Sequence, residues 1–167
     1  YLNGLVSSND FVLLTGSGEV MASVKNECVE VVLTSPKILS EPLNENGKTW
    51  YFYDTGVPHL VNFTQNLEEF DVKECRALRQ KYNANVNLAK FEGEVLKVRT
   101  YERGVEDETL ACGTGMAACF YGATLNLNAP QSLKVYPKSG EELGLRLESG
   151  KILFSGAVKH CFDTSIE

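Results

Sequence analysis

"ETLACGTGMAACFY", residues 108–121, runs from a polar turn straight into an apolar segment, with a cysteine at the junction. From Gly113 to about Leu125 the segment is rich in Ala, Met and aromatic residues and carries almost no charge. A helix that is apolar all round is buried on every side, so the rest of the chain must be built around it. Its start is chemically unusual. Gly113, Thr114 and Gly115 follow Cys112 directly, where four backbone N–H groups lack partners and the helix carries partial positive charge. Glycine leaves such N–H groups open to a close carboxylate or phosphate, and Thr114 adds a hydroxyl. A thiol at this place is expected to have its pKa lowered from about 8.5 toward neutrality.

Strand signals surround the helix. "FVLLT" (11–15), "EVMASVK" (19–25) and "CVEVVL" (28–33) are short runs rich in β-branched residues and read as a meander. "SPKILSEPLNENGK" (35–48) is polar, holds Pro36 and Pro42, and reads as a linker. "WYFYD" (50–54) and "HLVNF" (59–63) read as strands around the turn "TGVP". Residues 70–83 place Val72, Cys75, Leu78 and Tyr82 at helical spacing, with Asp71 as N-cap and Glu74 three residues on. "NVNLAKF" and "EVLKVRTYE" are strands about Gly93, and "RGVEDET" is a polar turn. After "NAP" (128–130), "SLKVYP", "LGLRLE" and "KILFSGAV" complete the strands. The class is α+β: a strand-rich wrap around one buried helix, with a second helix outside.

Composition narrows the function. The 167 residues suit one ordinary domain, or one domain with a piece of another, and 43% apolar content can supply a core. A net charge of −6 argues against nucleic-acid binding, which needs a basic face. No apolar run approaches the roughly 20 residues of a membrane span. The five cysteines are odd in number and form no CxxC pair, which argues against structural zinc and against a disulfide framework. A reducing, cytoplasmic compartment is expected. The chain starts at Tyr1, and "YLNGL" reads as a helix end with Gly4 as stop, so a preceding segment is expected.

Four more positions could serve Cys112. Glu102 and Arg103, in "YERG", alternate on a strand, and both could turn toward the cysteine loop at its end. The carboxylate could hold an ammonium group or accept a thiol proton, and the guanidinium could clamp a carboxylate. His59 could carry protons near neutral pH, and Asn85 could present an amide to a polar ligand. Each is also read as an ordinary structural or solvated residue when taken alone. Cys28, Cys75, Cys119 and Cys161 lack neighbouring glycine donors and read as structural. His160 reads as structural or surface.

"KVRTYERGVEDETLACGTGMAA" (97–118) resembles the diaminopimelate epimerases, whose hallmark is Tyr-Glu-Arg-Gly, a short turn, then Glu-Thr-x-Ala-Cys-Gly-Thr/Ser-Gly. "TGVPHLVNF" is similar to their Gly-Asn-Pro-His strand, "NANVNLAKF" to their Asn-bearing strand, and "FSGAVKHCFD" to their closing segment. "YLNGLVSSNDFVLLTGSGEV" resembles the stretch just after their first catalytic helix, so the likeness covers nearly the whole chain.

The resemblance implies a fold of two similar domains, each a strand barrel around a central helix, with the site between them. Residues 1–44 would be remnant strands of the first domain, 45–157 the second domain, and 158–167 a return to the first. It implies Cys112 as one of two catalytic thiols, with His59 and Glu102 assisting proton transfer. Asn85, Glu102 and Arg103 would bind the substrate's polar groups, and Gly113 and Thr114 the carboxylate at the reacting carbon. The implied substrate is diaminopimelate, with no cofactor and no metal. Open edges in 1–44 leave room for a homodimer. Two departures stand out: Val57 replaces the family's Asn, and the turn "VED" is one residue longer. A third is the lack of the N-terminal Cys-Gly-Asn-Gly motif that bears the second thiol. The resemblance thus implies a C-terminal part holding half a site, inactive alone. Two alternatives remain: a proline or hydroxyproline racemase, which shares the Cys-Gly-Thr/Ser-Gly turn, and a fragment that only binds ligand.

Overall fold

The computed structural model describes residues 6–16 and 18–165. The expected helix end at "YLNGL" lies outside the described residues. Among the described residues, twelve strands form one mixed sheet, joined by two α-helices and a short 3-10 turn at Leu67–Glu69. In chain order the strands are β1 (Asp10–Thr15), β2 (Gly18–Lys25), β3 (Cys28–Val32), β4 (Lys37–Glu45), β5 (Lys48–Asp54) and β6 (Pro58–Phe63). Helix α1 (Val72–Tyr82) precedes β7 (Asn85–Glu92), β8 (Val95–Glu102) and β9 (Asp107–Thr109). Helix α2 (Gly113–Asn126) precedes β10 (Ser132–Tyr136), β11 (Leu143–Glu148) and β12 (Lys151–Ala157). The hydrogen-bonded order is β1-β2-β3-β12-β11-β10-β8-β7-β6-β5-β4, with β9 on β8.

Most pairs are antiparallel. The two exceptions, β6 with β7 and β8 with β10, each enclose a helix in the crossover. That follows from geometry, because parallel neighbours need a long return connection. Tight hairpins use the left-handed backbone where the sequence allows it: Asn46–Gly47 (φ 53 and 75) joins β4 to β5, and Ser149–Gly150 (φ 51 and 75) joins β11 to β12.

Strand alternation sorts side chains between the two helices. On one face Tyr53, Val61, Ala89, Leu96 and Val98 pack with Met116, Ala117, Cys119 and Phe120 of α2. On the other, Trp50, Leu60, Val86, Leu88 and Tyr101 pack with Cys75 and Leu78 of α1. Helix α2 meets β5, β6, β7, β8, β11 and β12, so the sheet curls around it as its apolar sequence requires.

Helix α1 starts where expected, with Asp71 accepting from the Lys73 N–H at 2.7 Å. Glu74 does not close a capping box; it pairs with Lys48 Nζ at 2.5 Å and ties the helix to the β4–β5 hairpin. The linker expected at 35–48 is instead β4, an edge strand. Its register with β5 shifts around Ser40 and Leu43, which accommodates Pro42 without a ladder N–H. The polar turn "RGVEDET" also hides β9, which pairs with β8 through Thr100↔Thr109.

Candidate active site

The inward face of three adjacent strands ends under the start of α2. His59 of β6 and Asn85 of β7 are Cα partners in the parallel ladder. Asn87, two residues on, faces the same way, and across the antiparallel ladder it meets Thr100 of β8. Glu102 is two residues beyond Thr100, at the end of that strand. All four of His59, Asn85, Asn87 and Thr100 are buried, so each polar atom needs a partner.

Cys112 is the N-cap of α2, in extended backbone (φ −135, ψ 107) and 9% exposed. Thr114 Oγ1 lies 3.6 Å from Cys112 Sγ and 3.0 Å from His59 Nε2, so one hydroxyl links sulfur to imidazole. Asn85 Nδ2 is 3.4 Å from the same ring nitrogen, and its Oδ1 accepts from the Arg103 N–H at 2.7 Å. Arg103 donates through its guanidinium to Asn83 O at 2.8 Å. The Thr114 carbonyl accepts from Thr55 Oγ1 at 2.8 Å, which locks the turn before His59 against the helix start. Cys112, Gly113, Thr114, His59, Asn85, Glu102 and Arg103 are therefore brought to one place from four parts of the chain.

Two electrostatic expectations are corrected. The Cys112 thiol is pushed up from its ordinary value, first by burial and further by the Glu102 carboxylate. Thr114 and the amides at the helix start pull it the other way without prevailing. His59 is pushed down to about 3 by burial and then by the Arg103 charge, so it is neutral at neutral pH and is no titrating carrier there. Its ring acts here as a hydrogen-bonding group.

Asn87 and Thr100 were absent from the candidates. The signal was available in "NANVN", where Asn85 and Asn87 alternate onto one face of a strand. Of the remaining cysteines, Cys75 and Cys119 are buried while Cys28 and Cys161 are exposed. His160 is a surface residue, with Asp163 Oδ1 at 3.0 Å.

The family model described as diaminopimelate epimerase matches residues 51–151, a span that holds the whole cluster. The chain belongs to the diaminopimelate epimerase family. A diaminopimelate epimerase of Campylobacter jejuni (strain RM1221) is 56% identical over 153 residues, covering 91% of this chain and 61% of that protein. One from a Nitratiruptor species is 53% identical over 165 residues, covering 98% and 66%. The chain thus spans a little over three-fifths of the relatives it matches. Among solved structures, a hydroxyproline epimerase from Agrobacterium vitis, with trans-4-hydroxy-L-proline bound, aligns at a TM-score of 0.66 and 12% identity. That alignment covers 93% of this chain and 59% of the other. A Bacillus anthracis protein of the PhzF family aligns at 0.62 and 11% identity, covering 93% and 68%. At such identities the likeness is one of fold, and it agrees with the expected epimerase-like architecture.

Proposed function

We propose that the chain supplies Cys112 as one of two acid–base thiols in a cofactor-independent epimerase acting on the α-carbon of diaminopimelate. The observation that carries this reading is the placement of Cys112 at the N-terminus of buried α2, joined through Thr114 to His59. Inversion requires a proton to leave one face of the carbon and another to arrive on the opposite face. In one direction the Cys112 thiolate takes the α-proton: the C–H bond breaks, an S–H bond forms, and the electron pair stays on carbon. A thiol on the far face then gives its proton to that carbon and becomes the thiolate. The reverse direction exchanges the two roles, and nothing is oxidised or reduced.

Negative charge spreads onto the α-carboxylate as the proton leaves. The N–H groups of Gly113 and Thr114 stabilise it where it develops, in a site that burial keeps dry. A thiolate whose parent thiol has a raised pKa is scarcer at rest but a stronger base once formed. Glu102, Arg103 and Asn85 line the route to the substrate's distal amino and carboxyl groups. His59, being neutral, fixes the Thr114 hydroxyl.

The second thiol is taken from a segment that the longer relatives possess. On this reading residues 45–157 form the second domain, 1–44 and 158–167 belong to the first, and the enzyme works in the cytoplasm. The test is Cys112→Ala in a protein containing both thiols. Epimer formation, and deuterium exchange at the α-carbon of the epimer whose hydrogen faces Cys112, should fall about 10²–10⁴-fold, the range for losing a positioned acid–base group. Undiminished turnover would sink the assignment.

A further inference from the structure

We propose that Asn87, anchored by Thr100, is a positioning residue that sets the tautomer of His59 and thereby aims the Thr114 hydroxyl proton at Cys112 Sγ. This rests on the reading of Cys112 as an acid–base thiol, and it concerns residues placed behind the imidazole.

The amide of Asn87 is held at both ends. Its Nδ2 donates to Leu60 O at 2.8 Å, and its Oδ1 accepts from Thr100 Oγ1 at 2.9 Å. Turning the amide over would set its oxygen against the Leu60 carbonyl, two acceptors face to face. Nδ2 is therefore the atom that meets His59 Nδ1, at 3.2 Å. An amide nitrogen only donates, so Nδ1 must carry the lone pair and the ring proton sits on Nε2. Nε2–H then donates to Thr114 Oγ1 at 3.0 Å. With a lone pair so occupied, the hydroxyl turns its own hydrogen toward Cys112 Sγ at 3.6 Å, a donor that favours the thiolate.

Asn85 opposes this arrangement. Its Nδ2 faces Nε2 at 3.4 Å and would prefer a lone pair there. The two amides pull the ring proton in opposite directions. The Thr114 hydroxyl can pair with either form, and the Asn87 contact is the shorter of the two amide contacts, so the Nε2–H form prevails. Gly115 makes this possible: any Cβ there would lie 2.6 Å from Asn87 Oδ1.

Histidine-selective 15N NMR reads the tautomer in the wild-type chain, which has two histidines, one of them the exposed His160. At pH 7 His59 should show a bare Nδ1 and a protonated Nε2. Asn87→Asp supplies an acceptor and should move the proton to Nδ1. Alkylation of Cys112 by iodoacetamide, followed on its peptide by mass spectrometry, should then slow about tenfold, the change in thiolate fraction for one pKa unit. Thr114→Val should slow it similarly without moving the ring proton, and Thr114→Ser should restore the rate. In Asn87→Asp/Thr114→Val the losses should not add, because both break one chain of contacts. Additive losses would mean that the new carboxylate acts by charge alone, and would overturn the proposal. A wild-type Nδ1–H tautomer would overturn it without any variant. Thr100→Val, which removes the anchor and keeps the amide, should leave His59 a mixture of tautomers; one unchanged tautomer would count against the anchor. None of these readouts uses turnover, so they can fail while Cys112 remains essential to epimerisation.

Discussion

A Cβ on Gly115 would also lie 3.1 Å from Thr100 Oγ1 and 3.3 Å from Cys112 Sγ. Gly115→Ala must therefore push apart the Asn87–Thr100 pair or lift the helix start. We expect a loss of about 1–3 kcal/mol, the usual cost of overpacking, together with loss of turnover. Gly122 offers a control on the same helix, since a Cβ there would meet Tyr53 Cε2 at 2.8 Å and the Phe63 ring at 3.2 Å. Gly122→Ala should cost similar stability in a denaturant titration yet leave the Cys112 alkylation profile unchanged. That profile carries a prediction of its own. Burial raises the thiol above its ordinary value, so the alkylation rate should still be climbing as pH passes about 9. A plateau reached near pH 7 would show that the helix donors outweigh burial after all. At this scale the sequence disclosed the cysteine and its glycine donors, because their chemistry is local. It misjudged the thiol and His59 because burial is set by strands far along the chain. The spacing of Asn87 two residues after Asn85 was legible, but its partners Thr100 and Leu60 show only once the register is known.

The elements that hold the site are tied by an ion cluster just before Cys112. Arg99 of β8 grips Glu108 of β9 through two hydrogen bonds, at 2.6 and 2.9 Å, and gives a third to Leu67 O at 2.9 Å. Lys138 also binds Glu108, and the Arg99 guanidinium stacks on Phe70. Burial alone would raise the Glu108 carboxyl, but Arg99 and Lys138 reverse this and hold it below 4.5. A carboxylate whose folded pKa is depressed adds stability in full above its unfolded value, and that stability is lost as pH falls through the folded one. The wild type should thus lose stability below about pH 4.5, and Glu108→Gln should flatten that acid limb. Thermal melts between about pH 3 and 7 measure it. The N-cap of α1 is a separate case: Asp71→Ala should cost about 1 kcal/mol, read as a shift in the unfolding midpoint. Both helices were legible from short-range signals, α1 from its 3.6-residue pattern and capping Asp71, α2 from a long uncharged apolar run after Cys112. β4 and β9 were not. Pro42 and the polar "VEDET" read as connection, and only pairing with β5 and β8 makes them strands.

The whole molecule divides by what lies over its sheet. From β5 to β12 the strands curve around α2, and the buried residues concentrate there. β1, β2 and β3 extend the sheet past β12 and rely on β3 alone to join it. Their side chains are exposed or half-buried, with Val12, Leu14 and Met21 among the exposed, and Ala22 is the one residue of these strands in the core. The sequence alone could not show this, since β-branched runs look the same with or without a partner layer. Backbone hydrogen bonds between strands with no packed layer open at little cost, whereas those beneath a buried helix open only with global unfolding. Native-state hydrogen exchange on the chain should therefore show amides of 10–32 exchanging orders of magnitude faster than those of β7, β8 and α2. Adding the segment by which the relatives are longer should slow the first group and leave the second nearly as it was. Equal protection across β1–β3 and α2 in the chain by itself would contradict the division. It would mean that the outlying strands fold as one cooperative unit with the helix-filled half, and that the site at the start of α2 needs no further layer to hold its sheet.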